Sequence, residues 1–185
     1  MSKDCNQIIS ELKTIREDTQ QKFGELSFEQ LNWRTSDESW SIAQCFEHLV
    51  ITNEIYFENI QKVADGTHQN NFFSKIPFVT DITGAIMKKV LSPEWSKKMK
   101  TLKMFKPSYN DISENILEDF SKNQNRLISL MEATKDLDIR KIKVAEPIGA
   151  AVNLRLVDAF EVLVVHEKRH FNQAKRVAEN EGFPK

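Results

Sequence analysis

Residues 164–173 read VVHEKRHFNQ and lie in a strongly periodic segment near the end of the chain, from about Asn153 to Glu181. Apolar residues recur there every three or four positions, which predicts an α-helix with one buried face. That face turns polar midway, and a buried polar group costs about 1–3 kcal/mol unless it finds a partner. The segment therefore predicts a helix whose buried face includes polar side chains. The positions on its inward stripe are Leu156, Phe160, Leu163, Glu167, His170, Ala174 and Val177.

Three other long segments have the same helical period. The first begins near Asp4, the second follows a predicted N-cap at Ser39 and stops near Gly66, and the third runs from about Asn110 to Lys135. Shorter elements are predicted as well: a helix over Thr80–Leu91, and a strand over residues 140–144, RKIKV. Four long amphipathic segments with almost no strand signal predict an all-α fold, a helix bundle.

Length and composition bound the class of protein. The 185 residues fit a single domain, 1–185, and 40% of them are hydrophobic, enough for a core. The net charge of -1 argues against nucleic-acid binding, which usually needs a basic excess. No stretch approaches the roughly 18 apolar residues of a membrane span, and the N-terminus lacks an apolar signal core. With only Cys5 and Cys45, we expect a cytoplasmic, soluble protein with reduced thiols.

Histidines are the candidate ligands of a metal site. His166 and His170 are one helical turn apart, which puts their Cβ atoms about 5–6 Å from each other on one face. Two such imidazoles can bind one transition metal, and His48 in the second long segment can supply a third ligand. Three protein ligands with an open position are typical of catalytic zinc. The alternative is a set of hydrogen-bonded histidines in the core or at the end of the bundle; His68, in a polar loop, is expected to be solvated.

The letters HEKRH also match the zinc-metalloprotease pattern HExxH. Only fifteen residues follow His170 and none of them is histidine; Glu179 and Glu181 are available, but a protease is not the expected function. Glu167 remains a candidate for orienting a ligand or transferring a proton. A lysine-rich stretch could steer an anionic substrate, although such runs are more often solvated surface. Its lysines are Lys97, Lys98, Lys100, Lys103 and Lys106.

Several of these motifs together resemble the DinB-like (DinB/YfiT) superfamily of metal-dependent enzymes. Residues 40–49, WSIAQCFEHL, look like that family's W-S-x-x-Q-x-x-x-H-L motif, and residues 103–108, KMFKPS, are similar to its lysine-rich loop. Residues 166–177, HEKRHFNQAKRV, resemble its C-terminal H-x-x-x-H-x-x-Q helix, and residues 181–184, EGFP, its usual ending. The resemblance covers the chain nearly from end to end.

The resemblance implies a four-helix bundle with one crossover connection and a divalent metal ion, Zn²⁺ or Ni²⁺, held by His48, His166 and His170. It also implies a homodimer and a small-molecule substrate, because characterised relatives include S-transferases that use bacillithiol, mycothiol or glutathione, and a few hydrolases or isomerases. The expected function is thus a metal-dependent thiol S-transferase or hydrolase. The alternative is a non-catalytic metal-binding or dimerisation module of a stress response.

Overall fold

The computed structural model describes residues 4–69, 79–95, 97 and 99–185. The fold is mostly helical, as the sequence predicts, with one small antiparallel hairpin. Among the described residues between the fourth and fifth helices, Lys103–Phe105 form a 3₁₀ turn. The main elements are α1 (Cys5–Phe23), α2 (Phe28–Asn32), α3 (Ile42–Ala64), α4 (Val79–Leu91), α5 (Ile116–Thr134), β1 (Lys143–Glu146), β2 (Gly149–Arg155) and α6 (Leu156–Ala178).

Capping boxes define the starts of the first three helices. Asp4, Ser27 and Ser41 each accept a hydrogen bond from the backbone N–H three residues on, where a glutamine side chain reaches back to the cap. The prediction that Ser39 caps α3 is wrong. Ser39 instead closes the preceding turn by hydrogen bonds with Ser36, so the helix begins one serine later. At the other end of α3, Gly66 has φ of 68°, a conformation that glycine adopts without strain.

The last two long helices are shorter than predicted. α5 begins at Ile116 and not near Asn110, and α6 begins at Leu156 and not near Asn153. The cause at α6 is the hairpin, in which Asn153 pairs with Ala145 on β1. The strand predicted over residues 140–144 overlaps β1 by two residues, whereas β2 was not predicted. An all-α description therefore omits a hairpin that packs on α3, α4 and α6.

The long helices enclose one apolar core. α1 and α3 each pack against both α5 and α6, so buried side chains from all four helices meet in the interior. Phe46 of α3, for example, contacts Phe23 of α1 and Phe120 of α5, with ring centroids 5.5 and 5.0 Å apart. Because α3 packs directly on α6, this arrangement brings His48 towards the histidines of α6.

Ion pairs join α4 to the beginning of α6. Lys88 reaches the carboxylates of Asp158 (2.8 Å) and Glu161 (2.5 Å), and Gly84 provides the space, because a Cβ atom there would come within 2.9 Å of Asp158. Within the described ranges, none of the helices has both the length and the apolar character needed to cross a membrane. The polar loop predicted around His68 falls mostly outside the described residues.

Candidate metal centre

Three histidines from two helices meet at the α3–α6 contact. Nε2 of His166 lies 3.1 Å from Nε2 of His48 and 3.1 Å from Nε2 of His170. One ring nitrogen from each residue falls within 4.8 Å of the others, and all three side chains are buried, with 4–7% of their surface exposed. The structure therefore brings together the three residues that the sequence analysis selected. That they ligate a metal remains a prediction.

The arrangement of the ring nitrogens is compatible with a metal ion. Nδ1 of His48 lies 2.5 Å from the carbonyl oxygen of Phe105. A carbonyl can only accept, so Nδ1 carries the hydrogen and Nε2 presents its lone pair to His166. In a tetrahedral zinc site with Zn–N bonds of about 2.0–2.1 Å, two nitrogens are about 3.4 Å apart, close to the separation seen here.

Burial keeps these rings neutral. It lowers the pKa of His166 well below its usual range, and the charges of His48 and Arg169 act in the same direction. It lowers the pKa of His170 equally clearly, with smaller contributions from the other two histidines and Arg169 and an opposing one from Gln173. The pKa of His48 is lowered by burial too, against the bond to the Phe105 carbonyl. Neutral imidazole is the form that a metal requires.

Trp40 covers the cluster from the start of α3. Its ring stacks on His170 at 26° with centroids 5.6 Å apart and contacts His48 at 4.9 Å. On another side, Nη1 of Arg169 donates to the carbonyls of Ser92 and Trp95, both at 3.0 Å, and so ties the loop after α4 to α6. Sequence reasoning assigned no role to Trp40 or Arg169. The available signal for Trp40 was its place as the first residue of the WSIAQCFEHL stretch, residues 40–49.

Glu167 faces the core beside this cluster. It is fully buried, and its carboxylate oxygens accept hydrogen bonds from Asn53 on α3 (2.9 Å) and Gln124 on α5 (2.5 Å). Burial raises the pKa of Glu167 to about 7, against the effect of those two bonds. Both oxygens are thus engaged in joining three helices. A role in proton transfer stays a prediction.

Cys45, His68 and the lysine-rich stretch contribute no atom to the histidine cluster among the described residues. Cys45 is fully buried, and burial raises the pKa of its thiol far above the usual range, so it is an apolar core residue rather than a thiolate. His68 follows the end of α3 and is not in the cluster. Among the lysines, Lys97 lies over the ring of Trp95, at 5.8 Å from its centroid, and Lys98 falls outside the described residues.

The fold and the site define a mostly helical protein with a buried cluster of three imidazoles that is compatible with a divalent metal ion. The sequence model of the DinB superfamily matches residues 11–174, a span that includes all three histidines, and the chain belongs to this superfamily. No curated protein and no solved structure is significantly similar to the chain.

Proposed function

We propose that the chain binds one divalent metal ion, Zn²⁺ or Ni²⁺, through Nε2 of His48, His166 and His170. The convergence of three neutral imidazoles on one point carries this proposal. Imidazole nitrogens suit zinc, nickel and copper, whereas magnesium and calcium prefer oxygen ligands. Binding would also engage the lone pair that Nε2 of His48 presents to His166.

We propose further that the protein is an enzyme, a thiol S-transferase or a hydrolase acting on a small molecule. A metal ion held by three protein ligands keeps a position for a further ligand and lowers the pKa of a thiol or water bound there. The chain's own residues hold the imidazoles neutral and oriented. Trp40 shields one side of the cluster from water, which strengthens electrostatic interactions within it.

One observation favours a second candidate, a non-catalytic metal-binding or dimerisation module of a stress response. The three histidines are only 4–7% exposed, which leaves little room for a substrate to approach. The two candidates differ in the fourth coordination position, which is open to exogenous ligands in an enzyme and closed in a structural site.

We propose that α1, α3, α5 and α6 form a four-helix bundle, with the connection between α3 and α5 as its crossover. Residues 1–185 would then form a single domain. A homodimer is the proposed assembly, and sedimentation equilibrium of the purified protein tests it.

Metal analysis of protein purified without chelator tests the proposed site. We expect about one Zn²⁺ or Ni²⁺ per chain in the wild type and a loss of metal in His170→Ala. The matched control is His68→Ala, which removes a histidine outside the cluster and should keep the metal. Metal-free wild-type protein that also takes up no added Zn²⁺ or Ni²⁺ would contradict the proposal.

Cobalt substitution then separates the two functions. In the enzyme, a small thiol added to the Co²⁺-loaded protein should produce a thiolate-to-cobalt charge-transfer band. A spectrum unchanged by glutathione, bacillithiol and azide would favour the structural module. A conjugation assay with the thiol that binds, and electrophilic acceptors of several classes, identifies the reaction.

A further inference from the structure

Three neighbouring side chains of α3 hold one short segment, Phe105–Ser108. Gln44 donates from Nε2 to the carbonyl of Ser108 at 2.9 Å. Glu47 accepts from the Ser108 backbone N–H at 2.5 Å and from its hydroxyl at 2.8 Å. His48 donates from Nδ1 to the carbonyl of Phe105 at the other end of the segment. These residues share a face because positions three and four apart on a helix are neighbours.

The link between the two ends of this segment is stiff. Lys106 is extended, with φ of -70° and ψ of 134°, as expected for a residue that precedes proline. Pro107 has its own φ restricted to about -65° by its ring. The peptide between Phe105 and Ser108 therefore has few conformations. A constraint on Ser108 consequently restricts where the Phe105 carbonyl lies.

The Phe105 carbonyl determines which tautomer the His48 ring adopts. By accepting the hydrogen on Nδ1, it selects the tautomer that leaves the Nε2 lone pair facing His166. Groups that bind the second nitrogen of a ligand histidine orient the ring and raise its basicity, and their removal typically lowers metal affinity about 10–100-fold. In this protein that group is the backbone oxygen of Phe105, and a side-chain substitution cannot remove it directly. A substitution in one of the side chains that hold the segment Phe105–Ser108 can, however, change the position of this oxygen.

We propose that Glu47 is a positioning residue for the metal centre, acting through Ser108 and the Phe105 carbonyl on the tautomer and orientation of His48. Gln44 contributes a single bond to Ser108, and the same side chain closes the capping box of α3. Glu47, in contrast to Gln44, accepts hydrogen bonds from both the backbone N–H and the hydroxyl of Ser108. The inference rests on the proposed function, because it assumes that His48 is a metal ligand.

Two substitutions at position 47 separate the hydrogen bonds from the negative charge. Glu47→Ala removes both. Glu47→Gln removes only the charge, because its amide oxygen can still accept from the Ser108 N–H and its amide hydrogens can donate to the hydroxyl. The matched control is Glu58→Ala, also on α3, where an exposed carboxylate pairs with Lys62 one turn away.

Competition between the protein and a chromophoric chelator measures Zn²⁺ affinity at a fixed pH. We expect Glu47→Ala to bind Zn²⁺ about tenfold or more weakly than the wild type, as for other groups that orient ligand histidines. Glu47→Gln should stay within about threefold of the wild type, and Glu58→Ala should equal it. An equal loss in Glu47→Ala and Glu47→Gln would show that charge acts and not positioning, and would overturn the inference. Unchanged affinity in Glu47→Ala would overturn it too.

A second measurement does not depend on metal. Long-range ¹H–¹⁵N NMR of the imidazoles in metal-free protein reports which nitrogen of His48 carries the hydrogen. We expect the Nδ1–H form in the wild type and Glu47→Gln, and a mixture of tautomers in Glu47→Ala. If the wild type binds no metal but the tautomer still follows position 47, the proposed function fails while the positioning role stands. If the wild type binds Zn²⁺ and neither readout follows position 47, the positioning role alone fails.

Discussion

Two polar clusters lie side by side where α3 meets α6, and their chemistry differs. The histidine cluster consists of His48, His166 and His170. The carboxyl cluster consists of Glu167 with Asn53 and Gln124. In the carboxyl cluster each oxygen of Glu167 receives an amide hydrogen from a neighbouring helix. In the histidine cluster, ring nitrogens face one another with no carboxylate among them.

The difference arises from one residue step along α6. His166 and Glu167 are consecutive, so their side chains point about 100° apart around the helix. One faces His48 and the other the core between α3 and α5. Both side chains are buried and polar. Each carboxylate oxygen of Glu167 has a hydrogen-bond donor from the protein, whereas the histidine nitrogens face one another and would be joined by the metal ion proposed above. A polar residue on a buried face thus indicates a site only when its partners cannot satisfy it.

The largest expected effect is a loss of stability on removal of the Glu167 carboxylate, which distinguishes the carboxyl cluster from the histidine cluster. Each buried amide donor left without its acceptor costs about 1–3 kcal/mol, so Glu167→Ala should lower the free energy of unfolding of the metal-free protein by about 4 kcal/mol. Urea unfolding in the presence of a chelator measures this. The folded variant should still bind one metal ion per chain, because its three histidines are intact.

The control for that experiment is Glu118→Ala on α5. Its carboxylate is 64% exposed and pairs with Lys122 one turn away, so the loss should stay below about 1 kcal/mol. The comparison fails if Glu167→Ala abolishes metal binding while leaving the free energy of unfolding unchanged. Glu167 would then belong functionally to the histidine cluster.

The pH dependence of the free energy of unfolding has opposite signs for the buried carboxyl groups and the buried histidines. Glu146, at the end of β1, accepts the hydroxyl of Tyr56 at 2.6 Å, and burial raises its pKa to about 7, as it does for Glu167. A raised carboxyl pKa contributes stability that is present below the unfolded pKa of about 4.3 and is lost as pH rises through the folded pKa near 7. For the histidines burial lowers the pKa, so in metal-free protein stability is lost as pH falls below about 6.5.

Glu146→Gln isolates one carboxyl group from these opposing trends. The amide does not titrate, and its oxygen can still accept from Tyr56. We expect the free energy of unfolding of the wild type, minus that of Glu146→Gln, to fall by about 2–3 kcal/mol between pH 5 and pH 8. Urea unfolding of metal-free protein across that range measures the difference. A difference independent of pH would show that Glu146 does not change its protonation on unfolding.

Helical periodicity predicts the four long helices and the face on which each histidine lies, because the 3.6-residue repeat is local. It failed at the start of α5 because Ile112 imitates the repeat from a loop. Ile112 is buried, and Asn32 bonds both its backbone N–H and its carbonyl, so its burial has nothing to do with a helix. The start of α6 was also misplaced, because Asn153 lies in β2, where it pairs with Ala145 of β1.

The surroundings of the histidine cluster could not be predicted, because they join positions far apart in the chain. His48 meets the backbone oxygen of Phe105, 57 residues away, and Glu47 meets Ser108, 61 residues away. The position of a backbone oxygen cannot be read from the identity of its residue. Serine and glutamate are common surface residues, so Ser108 and Glu47 do not stand out in the sequence. Only the path of the segment across α3 gives them a role.

The smallest expected effect concerns the ring that covers the histidine cluster. Trp40 stacks on His170 and packs at a tilt against His48. An indole ring does not coordinate a metal ion, so we expect Trp40 to act only by restricting the orientation of the two imidazoles. Aromatic contacts of this kind are worth about 0.5–1.5 kcal/mol beyond the area they bury, which corresponds to about a 2–10-fold loss of Zn²⁺ affinity in Trp40→Leu. Competition with a chelator at fixed pH measures it.

Trp33→Leu is the matched control, because Trp33 packs edge-on against Phe183, with centroids 5.6 Å apart, and touches none of the three histidines through that contact. It should leave Zn²⁺ affinity unchanged while costing comparable packing. Equal losses in the two variants would mean that general loosening of the fold, and not the ring over the cluster, governs affinity. A loss confined to Trp40→Leu would show that the histidine cluster depends on neighbours that orient its rings, whereas the carboxyl cluster is held by its own hydrogen bonds.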